Sequence, residues 1–219
     1  MRAVKGSLAA PWVDRRGRGS REAESNLLLL VTERDDMAIH GSAVSMLKES
    51  LREYVYVADL CINFRKDMEW GNEQLGGCLG FPGATLMFCV VDTIGSYHRK
   101  RKGFKVRVDG SEREITNDSF HHFFILNSTY YDQRLSEEII KKLYKNYRSL
   151  LLHNAMLASG HMLFRDKPED PPFRVDDGKP HVNIAAFLRV TKSAVEKFLG
   201  QAEHIVPGSH QEKVTGLKR

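Results

Sequence analysis

The segment "GATLMFCVVDTIGSYHR", residues 83–99, constrains the fold more than any other stretch. Its apolar residues lie nearly all round a helical wheel. A helix of that kind has no face for water and must be covered on several sides. Pro82 stands just ahead of it and suits the first turn of a helix. Asp92 is its one acid. A carboxylate inside an apolar surround needs a hydrogen-bonding or charged partner, because burying it alone is prohibitively costly. Whatever packs around residues 83–99 therefore has to bring a polar group to Asp92.

The other elements follow from periodicity. Residues 43–67, "AVSMLKESLREYVYVADLCINFRKD", repeat apolar positions at three-four spacing and predict an amphipathic helix. The "GGCLGFPG" stretch after it marks a loop. It lacks the GK[ST] ending, so no lysine or hydroxyl is placed for a nucleotide and its metal, and a P-loop is excluded. At 104–116, Val106 and Val108 alternate with charges ahead of Asp109-Gly110, which predicts a small β-hairpin. The aromatic stretch 119–131 is expected to be a short helix or turn over the core. Ser136 followed by Glu137 and Glu138 predicts a helix start, and that helix is expected over 137–161. Four prolines and many charges at 164–181 predict a loop, and 182–204 a final helix. Residues 1–36 read as a poorly ordered leader and 205–219 as a flexible tail, with Met37 opening the foldable part. The sum is an all-α fold, an antiparallel four- to five-helix bundle with a small β-hairpin insertion.

Composition narrows the function. A chain of 219 residues can hold one full hydrophobic core without crosslinks. Three cysteines (Cys61, Cys78 and Cys89) with no CxxC pair argue against a disulfide scaffold or a thiolate zinc site and fit a reducing, cytoplasmic setting. No apolar run reaches the roughly 20 residues that span a bilayer, and "NLLLLV" at 26–31 follows an Arg-rich polar stretch, which is not the order of a secretory signal. The net charge of +5 favours an anionic partner. Residues 99–107, "RKRKGFKVR", carry six Lys/Arg and no acid. Arg99, Lys100, Arg101, Lys102 and Lys105 in that run are candidate phosphate contacts, or else a solvated loop. Lys141, Lys142 and Lys145 extend a positive surface along the 137–161 helix.

Within that helix "YRSLLLHN" places Arg148 and His153 among leucines. Five residues at 100° each put them about 140° apart, one on either side of the apolar stripe. A two-fold dimer is one way to bring them to a common target. Arginine offers a fixed donor fork for phosphate oxygen, and histidine exchanges a proton near neutral pH. For RNA that permits attack of the 2′-hydroxyl on the neighbouring phosphate without a metal, with Asn154 orienting the imidazole or holding the backbone. His121 and His122, with His98 and His161, have no spacing that fixes a metal, so no metal or other cofactor is expected. Tyr130, Tyr131, Tyr144 and Tyr147 are candidates for base stacking or for core.

The helical pattern over about 43–204, with Arg148 and His153 inside a late long helix, resembles the HEPN superfamily. Its signature is Arg, four to six residues, then His. Ser149 stands where the family often has a more polar residue. The resemblance implies a helical, usually dimeric domain and a metal-independent ribonuclease of toxin–antitoxin, phage-defence or RNA-processing systems. It implies a homodimer with RNA as substrate and an antitoxin or defence protein as a partner, and no membrane. It also implies an acidic residue from an earlier helix, for which Asp92 is the candidate and Asp59 the reserve. The competing expectation is a non-catalytic RNA-binding or protein-interaction bundle.

Overall fold

The computed structural model describes residues 41–69, 71 and 76–215. The chain divides into two units, Met1–Ile39 and His40–Arg219, and the described residues all lie in the second. The expected leader and the assignment of Met37 as the start of the fold lie outside the described residues.

The first helix, α1 (Ala43–Asn63), starts at a capping box in which Ser42 and Ser45 exchange side-chain and backbone hydrogen bonds. A short turn, α2 (Lys66–Glu69), follows. The apolar helix α3 (Gly80–Tyr97) is packed by α1, by a 3-10 helix (Ser119–Asn127), by a π-helical segment (Tyr144–Ser149) and by α6 (Ile184–Leu199). Phe88 of α3 is fully buried at the centre, with ring centroids 5.9 Å from Phe123, 5.8 Å from Tyr147 and 4.9 Å from Phe187. One aromatic from each of three surrounding elements thus meets the Phe88 ring.

The helix expected over 137–161 is three pieces. They are α4 (Glu137–Leu143), capped by Ser136 through Ile139 N–H, then the π segment, then α5 (Leu150–Asn154). It stops early because Ala155 turns left-handed at φ 52. The last elements are α6, α7 (Ala202–Ile205) and α8 (His210–Thr215). Ile205 and Val206 are buried, so the expected flexible tail begins with core residues and carries a helix of its own.

The all-α bundle is corrected by two small sheets, which make this a mixed fold with 56% of the described residues helical. The hairpin pairs β1 (Val106–Val108) with β2 (Ser111–Arg113), antiparallel, through Asp109 at φ 49 and Gly110 at φ 76. A three-stranded sheet, β3 (Leu163–Phe164), β4 (Phe173–Asp176) and β5 (Lys179–Asn183), takes up much of the span expected to be a loop, leaving 165–172 outside the strands. Its order is β3-β5-β4, with β3 parallel and β4 antiparallel to β5. Asp177 at φ 50 and Gly178 at φ 69 make the same tight turn as the first hairpin. The prolines misled. Pro180 is tolerated in β5 because β3 pairs only with Val182 and Asn183, so β5 has a single neighbour at Pro180. Asn183 then closes the sheet and opens α6. Its fully buried amide accepts from Ala186 N–H and Asp166 N–H and donates to Lys167 O.

Candidate functional site around Asp92 and Arg148

Two elements deliver side chains to Asp92. Arg148, from the π segment, donates from Nη2 to Oδ2 at 2.6 Å. His122, from the 3-10 helix, lies with Nδ1 2.8 Å from Oδ1. An ionised carboxylate only accepts, so the His122 proton on this side sits on Nδ1. The side chains are 22%, 18% and 11% exposed for Arg148, Asp92 and His122, so the cluster opens to solvent at its arginine end. Partial burial strengthens the ion pair by lowering the surrounding dielectric, and it makes loss of either partner costly.

Local sequence makes this convergence possible. Gly95 lies one turn beyond Asp92, where a Cβ would stand 2.1 Å from the carbonyl oxygen of His122. Only glycine lets the 3-10 helix approach closely enough for His122 to reach the carboxylate. On the other side, the wider π turn places Arg148 against α3 while Tyr147 stays in the core. The Tyr147 hydroxyl donates to Pro180 O and lies 3.2 Å from Met162 O, which ties this segment to the sheet. The Arg148 guanidinium stands 5.5 Å from the Tyr144 ring centroid, a cation–π contact that steadies it further. Arg148 Nε and His122 Nε2 are buried with no hydrogen-bond partner among the described residues. Cys89, one turn before Asp92, has its thiol pushed up chiefly by burial, so it is held as the neutral thiol.

The other site candidates are not gathered here. His153 and Asn154 are exposed in the last turn of α5 and make no hydrogen bond to a described residue. No hydrogen bond or ring contact joins His153 to Arg148. The basic stretch is partly engaged: Arg101 donates to the carbonyls of Ile205 and His204 at 3.3 Å, and Lys105 pairs with Glu112 at 3.1 Å. Lys100 and Lys102 are exposed and Arg99 half-buried. Lys141 pairs with Glu137 at 2.9 Å and stands over the Phe120 ring, whereas Lys145 is exposed. Asp59, the reserve acid, pairs with Lys192 at 3.1 Å and takes no part in the cluster. Tyr130, Tyr131 and Tyr147 are buried and closed to base stacking. Among the described residues no group of three or more His, Cys, Asp or Glu is placed to hold a metal ion. Sequence reasoning missed His122 as the second partner of Asp92. The pairing of Gly95 with the aromatic 119–127 segment was the available signal.

Comparison with protein-family models, with curated proteins and with solved structures finds no match in any of the three. No helix among the described residues is long and apolar enough to cross a membrane.

Proposed function

We propose that this protein is a cytoplasmic, metal-independent endoribonuclease working as a homodimer, of the kind found in toxin or phage-defence systems. The supporting observation is the Asp92–Arg148 contact, which holds a guanidinium at a solvent-open edge on the helical run whose last turn carries His153. Arg148 keeps its Nη1 amino group free of hydrogen bonds to described residues, and that group is suited to a phosphate oxygen. Neutral His153 takes the proton of an RNA 2′-hydroxyl. The 2′-oxygen bonds to phosphorus, the bond to the 5′-oxygen breaks, and the protonated ring returns a proton to that leaving oxygen. The products are a 2′,3′-cyclic phosphate and a 5′-hydroxyl. Asn154, beside His153, orients the ring or the strand. Incubation of the purified protein with mixed single-stranded RNA in chelator, beside a His153→Ala control, tests the assignment. The control is expected to lose nearly all cleavage, and equal product from both removes the proposal.

One observation favours a second reading. Asp92 already neutralises Arg148, and no hydrogen bond links Arg148 to His153. A non-catalytic RNA-binding or protein-interaction domain needs nothing more. It predicts salt-sensitive retention of RNA, or of an antitoxin or defence partner, with the RNA left intact.

A further inference from the structure

Three depressions run together along the seam of α1 and α6 to the start of α3. The first, about 400 Å³, is lined by Arg52, Tyr56, Asp59, Lys192 and Glu196 among others. The second, about 380 Å³, shares Asp59 and Lys192 and adds Arg165 and Arg189. The third, about 470 Å³, shares Arg165 and adds Arg65, Lys66 and Phe81. Among the described residues the combined lining has six cations against two carboxylates, a positive excess.

The cations are oriented more than they are neutralised. Arg189 donates from Nε to Pro168 O at 2.7 Å, and Arg165 from Nη1 to Ile62 O at 3.1 Å. These bonds to neutral carbonyls fix each guanidinium and leave its charge for a ligand. Arg52 and Lys66 form no ion pair among the described residues, whereas Lys192 pairs with Asp59 and Arg65 with Asp67. Two aromatic side chains stand open in the outer depressions: Tyr56 is 65% and Phe81 51% exposed. From Arg52 to Asn63 the α1 side of the groove alone runs roughly 16 Å, long enough for several consecutive phosphates.

We propose that this groove binds single-stranded RNA, with the cations on the sugar-phosphate backbone and Tyr56 and Phe81 stacking on bases. A polyanion satisfies the charge, and exposed aromatic faces in the same track select a strand whose bases are unstacked. A duplex hides its base faces and an acidic peptide has none. The inference rests on the proposed RNA-directed function for its choice of RNA over other polyanions. It makes the seam of α1 and α6, rather than residues 99–107, the main binding track.

The test is fluorescence anisotropy of the full chain with a labelled 2′-O-methyl uridine decamer, which cannot be cut by 2′-hydroxyl attack, across a salt series. Combined Arg52→Gln, Lys66→Gln and Arg189→Gln is expected to lower the salt slope by about 2 and the affinity about a hundredfold near 0.1 M salt. Tyr56→Ser with Phe81→Ser is expected to weaken binding about tenfold or more with the salt slope unchanged. A charge-matched control, Lys48→Gln, Arg134→Gln and Lys213→Gln, is expected to bind as the parent does. An unchanged slope in the groove variant overturns the proposal, as does equal loss in the control. Displacement of the decamer by polyglutamate at equal charge concentration overturns it in favour of an acidic protein. Absence of decamer binding at low salt overturns it together with the RNA-directed function. If the decamer binds through the groove and ordinary RNA stays uncut, the groove stands and the nuclease assignment alone fails.

Discussion

Replacing Asp92 by alanine removes the acceptor of two partners at once, Arg148 at 2.6 Å and His122 at 2.8 Å. The guanidinium is 22% exposed, so it is left with only partial access to water. Breaking a fully buried pair from one side costs about 3–5 kcal/mol, mostly because the surviving charge is uncompensated. The open edge around Arg148 reduces that figure, while the lost His122 hydrogen bond adds about 1 kcal/mol. Asp92→Ala is therefore expected to destabilise the protein by about 3 kcal/mol. Urea unfolding monitored by circular dichroism measures it, with an unchanged slope confirming that the unfolded state is the same. The double variant Asp92→Leu with Arg148→Met removes both charges and is expected to recover at least about 1 kcal/mol of the loss. A loss below about 0.5 kcal/mol, or a double variant whose loss equals the sum of the two single ones, would refute the coupling of these side chains.

Two further outcomes follow from the packing around the site. His98 accepts no proton readily: it is buried, stacked on Phe104, with Nε2 on the Tyr130 hydroxyl and Nδ1 without a partner among the described residues. Burial first, then the nearby Arg101 charge, hold its pKa down to about 3. Below pH 6.5 the unfolded chain binds a proton that the folded one refuses, so stability is full above that pH and falls steadily towards pH 3, by about 2 kcal/mol at pH 5. His98→Phe is expected to flatten this acid limb in urea midpoints taken from pH 7 to 4, and an unaltered limb counts against it. Gly95→Ala would force a Cβ to 2.1 Å from the His122 carbonyl oxygen, and a cost of about 2–3 kcal/mol is expected in the same assay. Movement of the His122 imidazole resonances in the Gly95→Ala protein relative to the parent, both at one fixed pH, reports displacement from Asp92, and superimposable resonances refute the close-approach role.

The legible parts of this fold were those set by local pattern. The all-round apolar run 83–99 is the central helix, and its acid has polar partners, as a carboxylate in that surround requires, although the pattern did not say that they would be Arg148 and His122. Asp109-Gly110 marked a hairpin for the reason that it fits positive φ at both positions. Asp177-Gly178 carries the same signal, but the prolines around it and the short strands pointed to a loop. Whether Pro180 could join a strand depended on where β3 pairs, which no local pattern shows. The π segment was invisible for a similar reason: Tyr144–Ser149 contains ordinary helix-forming residues, and the tie of Tyr147 to the carbonyls of Met162 and Pro180 is a tertiary contact. His122 was hidden by its neighbour His121, since the pair reads as one aromatic-flanked motif. The structure sends them apart, His121 to Thr116 at 2.6 Å and His122 to Asp92.

The proposed 2′-hydroxyl attack, managed by Arg148 and His153, leaves a signature in the cut ends of the RNA. A labelled single-stranded RNA is incubated with the protein in chelator beside the same sequence carrying 2′-deoxyribose at every position, and the products are resolved by mass. The proposed chemistry predicts fragments ending in 2′,3′-cyclic phosphate from the RNA, none from the deoxy strand, and at least about a hundredfold slower cleavage by Arg148→Ala and His153→Ala. Cleavage of the deoxy strand, or an intact RNA after prolonged incubation with the parent protein, would contradict it.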